Sequence, residues 1–431
     1  MISRLPLDEH RLREIVEQCV RRELPPEVPF PSPDEILNDD DGGGVLDSMA
    51  WVSVVQSIEV ASGCSDFGDR MSEGTRSVSN MLAVLLSSVA GPEATAAPSA
   101  ARAAAGEGNT AGIVGWAFAV GSRIVDPSDV EKEFGLPKGK IMTSAGIKTL
   151  ARVADDENEI SLCLKSCKAA LVKSGSDIGD VDCLIATSET FAGYPSLGAA
   201  LHARLLADES CKVLDVGGAC VGLLNSLFIA KSLLAAGSAR CVLVASGDVH
   251  SRILKPGQVK GEFGGLFGDG ASAFILQPAD SAGVDGPYRL GEFLFGCAGT
   301  YASALQIGWS AENGIALTFE GEALARAAVE QMNRVLEDLE LCTGRKRADA
   351  SAFVLHQPNP RLVQLLARQA GVPLDKIPQV AVNYGNLGSS TCGVALSMAL
   401  TESASLPASQ RGPIFAAAVG PGLLWGGTVL F

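Results

Sequence analysis

Four short stretches of the sequence carry groups with chemistry to offer. Cys220 follows two glycines in DVGGACVGLLNSL (215–227), His356 lies in FVLHQPNPRL (353–362), and Asn386 lies in VAVNYGNLGSSTCG (380–393). A fourth stretch, AAAVGPGLLWGG (416–427), ends an apolar run in Gly420-Pro421-Gly422. A cysteine at a helix start is favoured as a thiolate by the unpaired N–H groups and the helix dipole, which predicts a lowered thiol pKa. Such a group can take an acyl chain as a thioester. His356 and Asn386 are neutral donors able to hold an oxygen on which negative charge develops. Pro421 has no N–H, so a backbone donor from the glycine loop must come from Gly420 or Gly422. Taken alone, Cys220 reads equally well as a small buried hydrophobe. His356 alone reads as a core or surface histidine, and Asn386 alone as a turn residue.

The elements around these residues give the combination its weight. The segments CLIATSE, KVLDVGG, CVLVASGD and SAFILQ read as buried strands separated by Ala- and Leu-rich helices. The rhythm returns with AFVLHQ, QVAVN and IFAAAVG. Alternation of this kind predicts parallel sheets covered by helices. The two runs look like two copies of one plan, one with Cys220 at a strand end and the other with His356. Strand ends in such folds are where catalytic groups collect.

Composition agrees with a packed α/β protein: 47% of residues are hydrophobic, 48 are glycine and 19% are charged. A net charge of −15 argues against a nucleic-acid partner. The eleven cysteines are scattered through apolar segments, and no secretory signal opens the chain, so reduced thiols and a cytoplasmic location are expected. Cys163 and Cys167 are one helical turn apart, but with four histidines and no paired-cysteine motif no metal site is predicted. No apolar run reaches membrane length without a charge.

Composition divides the chain. Residues 1–90 hold 16 Asp and Glu against 7 Arg and no Lys, and their apolar spacing predicts a three-helix acidic bundle. Residues 91–110, GPEATAAPSAARAAAGEGNT, read as an Ala/Gly/Pro linker, and 111–431 as the α/β domain. Within the bundle, VLDSMAWVSVV places Ser48 at a helix start after Asp47. Both types are ordinary N-caps.

Residues 111–431 resemble the ketoacyl synthase III branch of the thiolase superfamily. The resemblance rests on LDVGGACVGLLNSL, SGDVHSR, FGDGASAFIL, LHQPNPRL, NYGNLGSS and GPGLLWGG. It implies duplicated βαβ halves in αβαβα layers, a homodimer, and a Cys220-His356-Asn386 triad that joins a Cys-bound acyl group to a malonyl thioester with loss of carbon dioxide. It also implies pantetheine-entrance roles for Asn359 and Arg361. Tyr194, in AGYPS, would reach the partner subunit's acyl pocket. The AGIKTLAR segment is present, but the tryptophan that often flanks the coenzyme A nucleotide is absent.

The acidic unit with its DSM motif is similar to an acyl carrier protein. That resemblance implies a 4′-phosphopantetheine arm on Ser48, attached by a phosphopantetheinyl transferase. A 20-residue linker gives a reach of roughly 25 Å and a local carrier concentration of about millimolar. Three functions remain open on the sequence. The first is a carrier-fused condensing enzyme in fatty acid or polyketide priming or in secondary metabolism. The second is an acyltransferase to a hydroxyl, amine or thiol. The third is a non-catalytic carrier platform. Asn386 is no base, whereas some transferase branches carry an acidic residue there, and this favours condensation.

Overall fold

The structure, a computed structural model, describes residues 9–38, 44–64, 67–71, 75–88, 111–279, 288–310 and 314–431. The expected linker, 91–110, lies outside them. The chain divides into two units, Met1–Ala101 and Arg102–Phe431.

The first unit is helical: α1 (Glu9–Glu23), α2 (Ser48–Ser62), α3 (Phe67–Met71) and α4 (Val78–Ser88). The sequence predicts three of these. The short α3 has too few residues to show a helical period, yet it supplies Phe67 and Met71 to the core. That core also takes Leu12, Val16 and Val20 from α1, Trp51, Val54 and Ile58 from α2, and Met81 and Leu85 from α4. Helix α2 starts sharply because Asp47 caps it. Its carboxylate accepts from the N–H of Met49 at 3.0 Å and of Ala50 at 2.8 Å. Gly63 closes the helix in the left-handed conformation, φ 75°.

The second unit is built on one nine-stranded sheet. Its strands are β1 (Ala111–Val120), β2 (Cys183–Thr187), β3 (Lys212–Asp215), β4 (Val242–Val249), β5 (Asp269–Pro278), β6 (Tyr288–Cys297), β7 (Ala352–Leu355), β8 (Ile414–Gly420) and β9 (Leu424–Leu430). Their order is β7-β8-β9-β6-β1-β5-β4-β2-β3. From β1 outward, the pairing is antiparallel to β5, antiparallel to β4, then parallel to β2 and β3. From β6 outward it is antiparallel to β9, antiparallel to β8, then parallel to β7. The same plan therefore occurs twice, and the halves meet where Gly112 and Ile113 pair with Arg289 and Tyr288. The sheet is mixed rather than purely parallel.

Five helices matter for the layers: α5 (Glu159–Ser174), α6 (Gly222–Ala235), α7 (Gly321–Thr343), α8 (Pro360–Ala370) and, after a short α9 (Val380–Tyr384), α10 (Ser390–Ala404). Strand residues alternate between two apolar faces. On β4, Val242 and Val244 face a central core shared with α6, α10 and β7–β8, whereas Leu243 and Ala245 face an outer core with α5. Helix α7 covers the other half, where Val335 and Leu339 close on Gly427. These are the αβαβα layers that the sequence predicts.

Two local readings differ. KVLD is an exposed edge strand, not a buried one; Leu214 is 39% exposed. QVAVN, expected as a strand, is a helix from Val380. Buried Gln357 caps it, its Oε1 accepting from the N–H of Val380 at 3.1 Å and of Ala381 at 3.0 Å. A short apolar run carries no period that separates helix from strand.

Candidate active site

Cys220 occupies a tight turn, Ala219–Val221, between β3 and α6. The turn needs backbone angles that side chains resist: Gly218 has φ 134°, and Ala219, which is not glycine, has φ 46°. Strain of this kind typically costs about 1–3 kcal/mol and persists only where the surroundings enforce it. Here the last residue of β8 presses on the nucleophile. A Cβ on Gly420 would lie 3.1 Å from Cys220 Cβ and 3.5 Å from its Sγ. Gly422, with φ 110°, completes the loop, and its carbonyl accepts from Cys297 Sγ at 3.4 Å.

His356 follows β7 directly. Its backbone N–H donates to Ala417 O at 3.0 Å, so the strand pairing carries through to the site. The ring is buried, and Nδ1 has no hydrogen-bond partner among the described residues. Burial pushes its pKa down to about 4, partly opposed by the Glu189 carboxylate and assisted by His250. His356 is therefore a neutral imidazole at pH 7.

Asn386 sits in the turn between α9 and α10. Its Oδ1 accepts from the Gly388 N–H at 3.0 Å and from the Thr391 hydroxyl at 3.2 Å. Its backbone bridges to the segment around Phe267 through Leu266 O and the Gly268 N–H, both at 2.9 Å. With its carbonyl end occupied, the amide offers N–H donors to the site.

The sequence analysis missed a second set of groups here. Glu189 lies two residues past β2, as His356 lies just past β7 in the other half, and its carboxylate acts on the Cys220 thiol. His250 follows β4, with Nε2 3.5 Å from Glu189 Oε2 and its ring 4.5 Å from that of Phe267. Asp248, fully buried on β4, accepts from the Glu189 N–H at 2.6 Å, the Ser389 hydroxyl at 2.6 Å and the Ser390 N–H at 3.1 Å. Burial, and then the Glu189 charge, push Asp248 up to about 6. The signal for Glu189 and His250 was their place just past strand ends, within CLIATSE and SGDVHSR.

This carboxylate overturns the expected thiolate. Burial first, and then Glu189, raise the Cys220 thiol well above its ordinary value. The resting group is S–H. Asn359 is chiefly a helix cap, its Oδ1 accepting from the Leu362 N–H at 2.9 Å at the start of α8. Arg361 follows two residues on, where the end of the short helix Lys140–Ala145 approaches; a Cβ on Gly146 would lie 3.8 Å from its Cγ. Tyr194 is fully exposed. Among the described residues no His, Cys, Asp and Glu group could hold a metal, and no helix is long and apolar enough to cross a membrane.

Two family profiles match within the second unit: 3-oxoacyl-[acyl-carrier-protein] synthase III over residues 214–291, and its C-terminal domain over 342–431. The second unit is ketoacyl synthase III-like. Similar ketoacyl synthases III include those of Rhodobacter capsulatus, 28% identical over 72% of this chain and 95% of the relative, and Haemophilus ducreyi, 28% identical over 69% and 92%. Among solved structures, the priming β-ketosynthase of the R1128 polyketide pathway superposes with TM-score 0.67 at 26% identity, covering 76% of this chain and 98% of that one. FabH of Pseudomonas aeruginosa PAO1 has the same fold, with TM-score 0.65 at 24% identity over 74% and 98%. The range 214–291 holds Cys220 and His250, and 342–431 holds His356, Asn386 and the glycine loop.

Proposed function

We propose that the protein is a condensing enzyme that carries its own acyl carrier. Cys220 takes an acyl group from a thioester, and His356 and Asn386 then hold the carbonyl oxygen of a malonyl thioester as it loses carbon dioxide. The resulting enolate attacks the acyl-cysteine. The observation that carries this reading is the state of the donor pair. His356 is neutral, and Asn386 has its carbonyl end tied by two donors. Both groups therefore suit stabilisation of a developing oxyanion and neither suits removal of a proton at position 386. Relatives named as ketoacyl synthases III support the same reaction class.

The carrier reading places 4′-phosphopantetheine on Ser48, the residue that opens α2 directly after the Asp47 cap. The Ser48 side chain lies outside the described residues. Thioesters of an acyl carrier or of coenzyme A would be the partners, as would a phosphopantetheinyl transferase. A homodimer fits the exposure of Tyr194 and of Leu214 on the β3 edge strand. Asn359 and Arg361, at the start of α8, are assigned to the pantetheine path.

A second reading, transfer of the acyl group to a hydroxyl, amine or thiol, is favoured by one observation. The Glu189 carboxylate is a base beside Cys220, although it does not stand at position 386. Release of labelled carbon dioxide from a carboxyl-labelled malonyl thioester separates the two. Condensation predicts release coupled to product. Acyl discharge to an acceptor with no release would establish transfer instead.

A further inference from the structure

Glu189 and His250 have no part in the condensation step described above, yet the fold spends several contacts on holding them. The Glu189 backbone is clamped from both sides. Its N–H is bound by Asp248, and the next residue, Thr190, donates its hydroxyl to Glu159 at 2.7 Å while accepting from the Val249 N–H at 2.8 Å. Ser188 Oγ turns the chain by accepting from the N–H groups of Thr190 at 3.1 Å and Phe191 at 3.0 Å. Room for the pair is made by Gly388. A Cβ there would stand 2.4 Å from His250 Cε1 and 3.1 Å from Glu189 Cδ, and its φ of 59° also favours glycine. The imidazole is 4% exposed, its Nδ1 has no partner among the described residues, and its Nε2 faces Glu189. The Glu189 side chain is 19% exposed, so it is not sealed from solvent.

We propose that Glu189 is a catalytic base that takes the Cys220 proton during acyl loading, with His250 as the residue that positions and charges it. The proposal rests on the reading that Cys220 is acylated by a thioester, and it serves condensation and transfer alike. In the step, Cys220 Sγ forms a bond to the thioester carbonyl carbon and the bond from that carbon to the donor sulfur breaks, its electron pair leaving with the sulfur. The proton passes from Sγ to a Glu189 carboxylate oxygen and then to the departing thiolate, which leaves as a thiol. No other reactant is needed.

The charges around the pair fit this role. Burial would raise Glu189, but His250 beside it, by hydrogen bond and charge, outweighs that and holds it below the ordinary carboxylate value. His250 is itself raised: burial lowers it, but Glu189, Asp248 and Asp269 outweigh that. Burial opposes ionisation of Cys220 most, and the negative charge of Glu189, then Cys392 and Asp248, opposes it further. A thiol that does not ionise unaided, hydrogen-bonded to an ionised carboxylate, is the arrangement general-base catalysis requires.

The test is a time course of Cys220 acylation, read by intact mass, with acetyl-, butyryl- and octanoyl-coenzyme A between pH 4 and 9. Wild type should load at a rate nearly independent of pH above the acid limb set by Glu189. Glu189→Gln should load about 100-fold more slowly at pH 7, and its rate should climb about tenfold per pH unit as the thiol ionises by itself. Glu189→Asp, which keeps the charge, should regain the flat profile at a reduced rate. His250→Gln should shift the acid limb of loading upward, because Glu189 loses the neighbour that holds its proton affinity down. Glu189→Gln loading at the wild-type rate, or at a lower rate with an unchanged flat profile, would overturn the base. A His250→Gln profile superimposed on wild type would overturn its part. Failure of wild type to load with any donor would instead overturn the acylation reading itself.

Discussion

Gly420 stands against Cys220 so closely that even a methyl group at 420 would lie 3.1 Å from Cys220 Cβ. The backbone at 420 is extended, φ −141°, and any residue adopts it. The three atoms nearest to a side chain there all belong to Cys220. Gly420→Ala should therefore leave the thermal midpoint nearly unchanged and slow Cys220 acylation about tenfold or more, since small displacements of reacting atoms are costly. Intact mass and a melting curve on the same sample check both halves. Normal loading would show that the contact does not position Cys220.

The first unit makes a separate prediction. Incubation with coenzyme A and a phosphopantetheinyl transferase should add roughly 340 Da, the mass of the arm itself. Ser48→Ala should abolish the gain. A Ser48→Ala protein that still gains the mass would remove the carrier assignment and leave the second unit's chemistry untouched.

Glu157 gives a prediction about pH. Burial would raise its pKa, but Lys165 at 2.6 Å and the N–H groups of Ala154 at 3.0 Å and Ser122 at 2.9 Å hold it down to about 2, against an ordinary 4.5. A carboxylate with a lowered folded-state pKa contributes stability that is complete above pH 4.5 and lost as pH falls toward 2. Glu157→Gln should cost about 2 kcal/mol at pH 7, allowing for screening of the half-exposed Lys165. Its stability should also fall less steeply than that of wild type between pH 4.5 and 2. Denaturant melts at pH 7, 4 and 3 check this, and parallel pH dependences for the two proteins would contradict it.

Most of the fold was legible because the strands that matter are apolar runs bounded by glycine and polar turns. Both faces of β4 are buried, so CVLVASGD shows as a continuous apolar segment. Cys220, His356 and Asn386 were legible because each follows a short run with apolar residues, although the run before Cys220 is an exposed edge strand and the one before Asn386 is a helix. The helix Val380–Tyr384 was not, since its cap is the side chain of Gln357, 23 positions earlier. Glu189 and His250 were quoted within strands and motifs but not read as a pair, because 60 intervening residues separate them and only the adjacency of β2 and β4 unites them. The raised Cys220 pKa follows from the same blind spot. Helix-start logic is local, whereas the carboxylate that opposes it comes from another strand end.

The central claim is that His356 and Asn386 act on the malonyl carbonyl and not on the formation of acyl-Cys220. Removing one donor aimed at a developing oxyanion typically costs about 100- to 1,000-fold in rate. The most direct measurement follows acyl-enzyme mass and labelled carbon dioxide side by side in wild type and Asn386→Ala. The account predicts that Asn386→Ala loads Cys220 to the wild-type extent and loses carbon dioxide release and condensed product together, by about that factor. Equal carbon dioxide release from both proteins, or wild-type acyl transfer with no carbon dioxide at all, would contradict it.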